Sequence, residues 1–230
     1  MKTRCWRIMK KAEFALIGDS HAGAIGKAAR EAGLGFEGGP LGSAREFYGG
    51  FFEAVESGVS FKSPDTEEMH RELCTLLKVG NLCDVDIPIL STIGSGFHVP
   101  ATSALWEVFQ GTPGCFEARF QESGLFDEIC QKLMAPMLDF HRCLIERSAS
   151  IYFVLPPQRV PETSSSVVLQ LFQTRAADAL SATGCKIIDT RLVTSDSDGW
   201  QLREYCKDND PLHANTAFGV EILKAAGYLP

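Results

Sequence analysis

Phe14-Ala15-Leu16-Ile17-Gly18-Asp19-Ser20-His21 joins a short, wholly apolar run to a Gly-Asp turn that presents a hydroxyl and an imidazole. A run of this length with no polar alternation predicts a strand buried on both faces, as in parallel sheets. Residues 22–32 are rich in alanine and stop at Gly33, the pattern of a helix with a glycine end. Strand, tight turn and helix therefore follow directly, with Ser20 at the hinge between them.

The same alternation continues outward. A weaker strand is expected over 34–36, and a strand over 85–93 whose first half Pro88 weakens. Residues 151–155 form an apolar strand ended by Pro156-Pro157, and 186–189 form a last short one. Helices are expected over 63–80, 125–147, 164–183 and 215–226, with Pro136 kinking or dividing the second. Five short apolar strands alternating with helices predict an α/β chain with a parallel sheet covered on both faces. Glycines 38, 39, 42, 49 and 50 with Pro40 read as a loop or lid over 38–62, whose aromatic residues Phe47, Tyr48, Phe51, Phe52 and Phe61 pack it onto the core.

With 230 residues and 45% hydrophobic content, one substantial core and one domain over 1–230 are expected. A formal charge of −7 argues against nucleic acid or an anionic membrane face as a partner, and the basic residues of 1–12 read as a solvated tail. No segment is long and apolar enough to span a bilayer. The apolar run 14–17 is too short for a secretory signal and leads straight into Ser20. The eight cysteines are scattered, with no Cys-x-x-Cys. They are expected to be reduced, mostly buried thiols of a cytoplasmic protein, with no structural zinc.

Near the other end, Asp210-Pro211-Leu212-His213 sets a carboxylate and an imidazole three residues apart. One loop can then supply both, the carboxylate holding one ring nitrogen while the other faces Ser20 as general base. In a parallel sheet, ligand sites gather outside the carboxyl ends of the strands, where Ser20, the 94–98 segment and the 210–213 segment can all meet. Asp19-Ser20-His21 also contains the Asp-x-His opening of metal-dependent phosphoesterases, but the further Gly-Asp and Gly-Asn-His motifs of that class do not occur. A non-catalytic ligand-binding protein is the other alternative. His70 and His141 fall in helical stretches and are expected at the surface or partly buried, and Asn215 is expected to cap the last helix.

Gly18-Asp19-Ser20 after the first strand, with Asp210-x-x-His213 before the terminal helix, resembles the SGNH or GDSL-like hydrolase and acyltransferase superfamily over most of the chain. The resemblance implies a flavodoxin-like three-layer α/β/α sandwich with no cofactor. It implies Ser20 as nucleophile, with Asp210 and His213 completing a triad. Gly18-Asp19-Ser20-His21 is close to the form in domains linked to sugar O-acylation, implying small acetyl-like esters of a sugar or hydroxylated metabolite as substrates. The family's oxyanion donors are the serine amide, a glycine amide after strand two and an asparagine after strand three. Gly38, Gly39 and Gly42 are candidates for the second. Gly96 falls where the asparagine is expected, leaving its own amide, the Ser95 hydroxyl or, favoured here, the His98 imidazole to donate. His21 is a further candidate substrate contact.

Overall fold

The computed structural model describes residues 11–112, 115–116, 118–147 and 149–230, so most of the basic segment expected as a tail lies outside the described residues. The first strand, β1 (Phe14–Gly18), is buried at every position. Its side chains alternate between two cores. Phe14 and Leu16 point to α1 (Ala22–Glu31), while Ala15 and Ile17 point to the opposite face.

The chain then forms β2 (Phe36–Pro40), an antiparallel hairpin of β3 (Phe52–Val55) and β4 (Gly58–Phe61), α2 (Pro64–Leu77) and β5 (Ile89–Ser91). A small hairpin of β6 (Gln110–Thr112) and β7 (Cys115–Phe116) precedes α3 (Ala118–Gln121) and α4 (Gly124–Glu146). After these come β8 (Ile151–Val154), α5 (Ser166–Thr183), β9 (Lys186–Ile188), α6 (Arg191–Thr194) and α7 (Thr216–Ala225). The sheet order is β2-β1-β5-β8-β9, with every pairing parallel. Helices α1 and α7 cover one face, where Ile25, Ala28, Phe218 and Ile222 pack on Phe14 and Leu16. Helices α2, α4 and α5 cover the other, where Leu73, Met137, Phe140 and Phe172 pack with Ala15 and Ile17. The fold is thus a three-layer α/β/α sandwich. Its strand order reverses between β1 and β5, which opens a crevice at the carboxyl ends of those two strands. No helix among the described residues is long and apolar enough to cross a membrane.

Three expectations need correction. The second strand is Phe36–Pro40 rather than 34–36, so Gly38 and Gly39 belong to it and not to a loop. A Cβ on Gly38 would stand 2.2 Å from the Leu16 carbonyl oxygen; here glycine marks a close approach between strands rather than a turn. In the remainder of 38–62, residues 52–61 form a hairpin rather than a loop, while the expected aromatic packing holds, with the rings of Phe51 and Phe61 5.4 and 5.6 Å from that of Phe140 in α4. Pro136 does not divide α4, which runs unbroken through it. The buried Met134, Met137, Phe140 and Leu144 hold the helix to the sheet on both sides of the lost hydrogen bond.

Candidate active site

Ser20 sits on the turn between β1 and α1, and its shape comes from two neighbours. Gly18 has no room for a side chain, since a Cβ there would lie 1.8 Å from Thr92 Oγ1. Asp19 is wholly buried, and its Oδ1 accepts hydrogen bonds from the His21 amide (2.9 Å) and the Thr92 hydroxyl (3.3 Å). The Asp19 amide in turn donates to Thr92 Oγ1 at 3.2 Å. Thr92 follows β5, so these bonds tie the serine turn to the neighbouring strand of the sheet. With Oδ1 given to an amide and a hydroxyl, Asp19 acts as a turn-fixing group. Among the described residues, no three His, Cys, Asp or Glu side chains converge to hold a metal ion.

The loop before α7 brings the other two groups to the same place. His213 Nδ1 lies 2.8 Å from Asp210 Oδ2, and His213 Nε2 lies 2.7 Å from Ser20 Oγ. A neutral ring meets both contacts when Nδ1–H donates to the carboxylate and the Nε2 lone pair accepts from the serine hydroxyl. Asp210 Oδ1 accepts the amides of Leu212 (3.0 Å) and His213 (2.9 Å), and Lys207 Nζ stands 3.2 Å from Oδ2. Burial opposes ionisation of Asp210, but these hydrogen bonds outweigh it and hold the carboxyl well below the usual carboxylate range. The loop is itself held in shape. Arg159 Nη1 donates to the carbonyls of His213 (2.7 Å) and Lys207 (3.1 Å), and Asn215 caps α7 by accepting the amides of Ala217 and Phe218.

The remaining candidates fall at different places. His21 precedes α1, and its ring is centred 5.6 Å from that of His213 and 6.4 Å from that of His98. Burial lowers the pKa of His21, against the opposing influence of Asp19. Burial also lowers that of His98, to about 4, helped by His21, His213 and Arg45. Both rings are therefore neutral at pH 7. Gly39 is built into the edge strand opposite Ile17. Gly42 follows that strand, and a Cβ on it would meet Glu46 and Thr66. A Cβ on Gly96 would stand 2.4 Å from Ala44 Cβ and 3.5 Å from Asp19 Oδ2. Ala44 thus occupies the volume that an asparagine side chain at position 96 would need.

The sequence marks neither Thr92 nor Arg159 as a site residue, and it marks Tyr48 only as one of the aromatics that pack the 38–62 segment. Tyr48 donates from its hydroxyl to the Gly94 carbonyl at 3.2 Å, bracing the loop after β5. Each of the three acts through a contact made across the fold, so no local spacing marks them.

No family model and no curated protein matches the sequence. Similarity appears among solved structures. A GDSL-like lipase from Bacteroides thetaiotaomicron VPI-5482 is 11% identical, with a TM-score of 0.50 over 94% of this chain and 86% of that one. A G-D-S-L family protein from Desulfitobacterium hafniense DCB-2 is 9% identical, with a TM-score of 0.51 over 94% of this chain and 98% of that one. A mutant of an acetyl-xylooligosaccharide esterase from Geobacillus stearmophilus is 10% identical, with a TM-score of 0.51 over 95% of this chain and 94% of that one. At these identities the likeness is one of fold.

Proposed function

We propose that this chain of SGNH hydrolase fold is a serine esterase or O-acyltransferase that works through an acyl-Ser20 intermediate. The observation that carries the reading is the continuous relay from Asp210 through His213 to Ser20, with heavy-atom distances of 2.8 and 2.7 Å. His213 Nε2 takes the serine proton as Oγ attacks the ester carbonyl, and the imidazolium returns it to the departing alcohol. Asp210 stays ionised throughout, fixing the ring's tautomer and stabilising its transient charge. Water or a second alcohol then attacks the acyl-enzyme with His213 again as base.

The neutral ring of His98 and the amides of Ser20 and Gly96 are the proposed donors to the oxyanion, each worth on the order of 3 kcal/mol of barrier. Acetyl-like groups on a sugar or other hydroxylated metabolite are the proposed substrates. The Gly-Asp-Ser-His motif and the structural likeness to an acetyl-xylooligosaccharide esterase support that choice. The buried thiols of Cys74, Cys83, Cys130 and Cys185 accord with a cytoplasmic setting.

Intact-protein mass spectrometry after treatment with a fluorophosphonate tests the proposal. A single adduct mapped to Ser20 and absent from Ser20→Ala is expected, together with a loss of at least about 10³-fold in p-nitrophenyl acetate turnover. Glycine at position 96 favours one other reading, a non-catalytic ligand-binding protein. That reading stands if the wild-type chain takes no label and turns over no ester.

A further inference from the structure

A small cavity of about 10 Å³ borders His21 and Leu212, the chain neighbours of Ser20 and His213; Ser95, His98 and Arg159 complete its polar side, and Phe97 and Pro156 are among its apolar walls. That is about the smallest space that admits one water-sized group. Two of its walls carry polar atoms with no hydrogen-bond partner among the described residues, namely both ring nitrogens of His21 and the hydroxyl of Ser95. His21 is 7% exposed and Ser95 is wholly buried. Arg159 is already committed to the two carbonyls of the His213 loop.

A buried polar atom left unpaired costs about 1–3 kcal/mol, and a ring nitrogen of His21 and the hydroxyl of Ser95, on two residues that line one cavity, call for a shared partner. The two ring nitrogens point away from each other, so a single partner reaches one of them together with the Ser95 hydroxyl, and a group that both donates and accepts suits either tautomer of the neutral ring. It must also be no larger than one oxygen with its hydrogens. A carboxylate or phosphate fails on size, and an alkyl group fails on polarity.

We infer that His21 and Ser95 form a hydroxyl subsite of the active centre, which takes an O–H neighbouring the ester on the alcohol half of the substrate and otherwise holds one water. This rests on the reading of Ser20 as nucleophile, and it makes the substrate's alcohol a polyol or sugar rather than a simple alkanol. His21 would then be a specificity-determining residue, its ring centred 5.6 Å from that of the base His213.

The test compares two acetate esters with the same acyl group, glycerol monoacetate and ethyl acetate, in the wild type, Ser95→Ala, His21→Phe and His21→Gln. The expected result is a ratio of kcat/KM, glycerol ester over ethyl ester, that falls about tenfold in Ser95→Ala and His21→Phe and less in His21→Gln, which keeps a donor and an acceptor. Ser95→Ala carries the test if His21→Phe does not fold. A crystal structure of the unliganded wild type supplies the second arm. An ordered oxygen within hydrogen-bond distance of a His21 ring nitrogen and Ser95 Oγ, with the ratio unmoved, assigns the subsite to water alone. An unmoved ratio without such an oxygen overturns the subsite. Absence of both ester turnover and a Ser20 adduct in the wild type would instead defeat the esterase reading, and the crystallographic arm would still decide whether the subsite exists.

Discussion

Asp210 and Gly96 show how differently two motif positions bear on the site. Asp210 accepts four hydrogen bonds or ion contacts, two of them on the oxygen that faces the His213 ring. Asp210→Asn keeps the shape but can present an N–H to Nδ1, which turns the ring to the wrong tautomer. A fall in kcat of about 10³-fold or more is expected, with the thermal midpoint measured alongside to separate it from unfolding. At Gly96 the obstacle is volume. Gly96→Asn, the side chain the family resemblance would put there, is expected to lower stability by about 1–3 kcal/mol through collision with Ala44 and to bring no gain in turnover. Adding Ala44→Gly should recover much of that loss in urea denaturation. Ser20, Asp210 and His213 are legible in the sequence because each lies in a short motif whose spacing has a chemical reason. Thr92 and Arg159 are not, since an isolated threonine or arginine bonds to its partner across scores of residues.

At the level of elements, the two helices that frame the serine turn and the histidine loop meet at a glycine. A Cβ on Gly219 in α7 would lie 2.3 Å from the Ala24 carbonyl oxygen in α1, which is backbone and cannot swing aside. Gly219→Ala is expected to destabilise by about 1–3 kcal/mol, read by urea denaturation, and to lower kcat of the proposed esterase reaction as well, because α1 and α7 carry Ser20 and His213 at their entrances. The elements themselves follow the sequence closely where burial sets the pattern, as in β1, β8 and α5. They depart from it at β2 and at the 52–61 hairpin. There the glycines and aromatics carry the composition of a loop, while contact with Leu16 and Phe140 decides their structure.

Taken whole, the molecule buries more imidazole than its sequence suggests. His70 and His141 are 2% and 0% exposed, contrary to the expectation of surface or partly buried rings. His141 lies between Ser91 Oγ (2.9 Å) and the Met137 carbonyl (2.8 Å), and Ser91 Oγ also accepts the Ile93 amide, so the ring props the loop leading to Gly96. Burial pushes its pKa down to about 4, against the Met137 hydrogen bond. The unfolded chain, with histidine near its ordinary value of about 6.5, therefore binds a proton over this window that the folded chain refuses. Stability from His141 is complete above pH 6.5 and is lost progressively as the pH falls to 4. His98 acts in the same sense. His141→Gln should flatten the fall in thermal midpoint between pH 6.5 and 4, even if it lowers the midpoint at neutral pH. What the amino-acid order determined alone is the strand and helix alternation and the two motifs, because periodic burial and short-range spacing are local properties. The meeting of Ser20 with His213, the exclusion of a side chain at position 96 and the unpaired face of His21 were decided only by the tertiary structure. Each depends on distances between segments far apart along the chain, which sheet order and helix packing set.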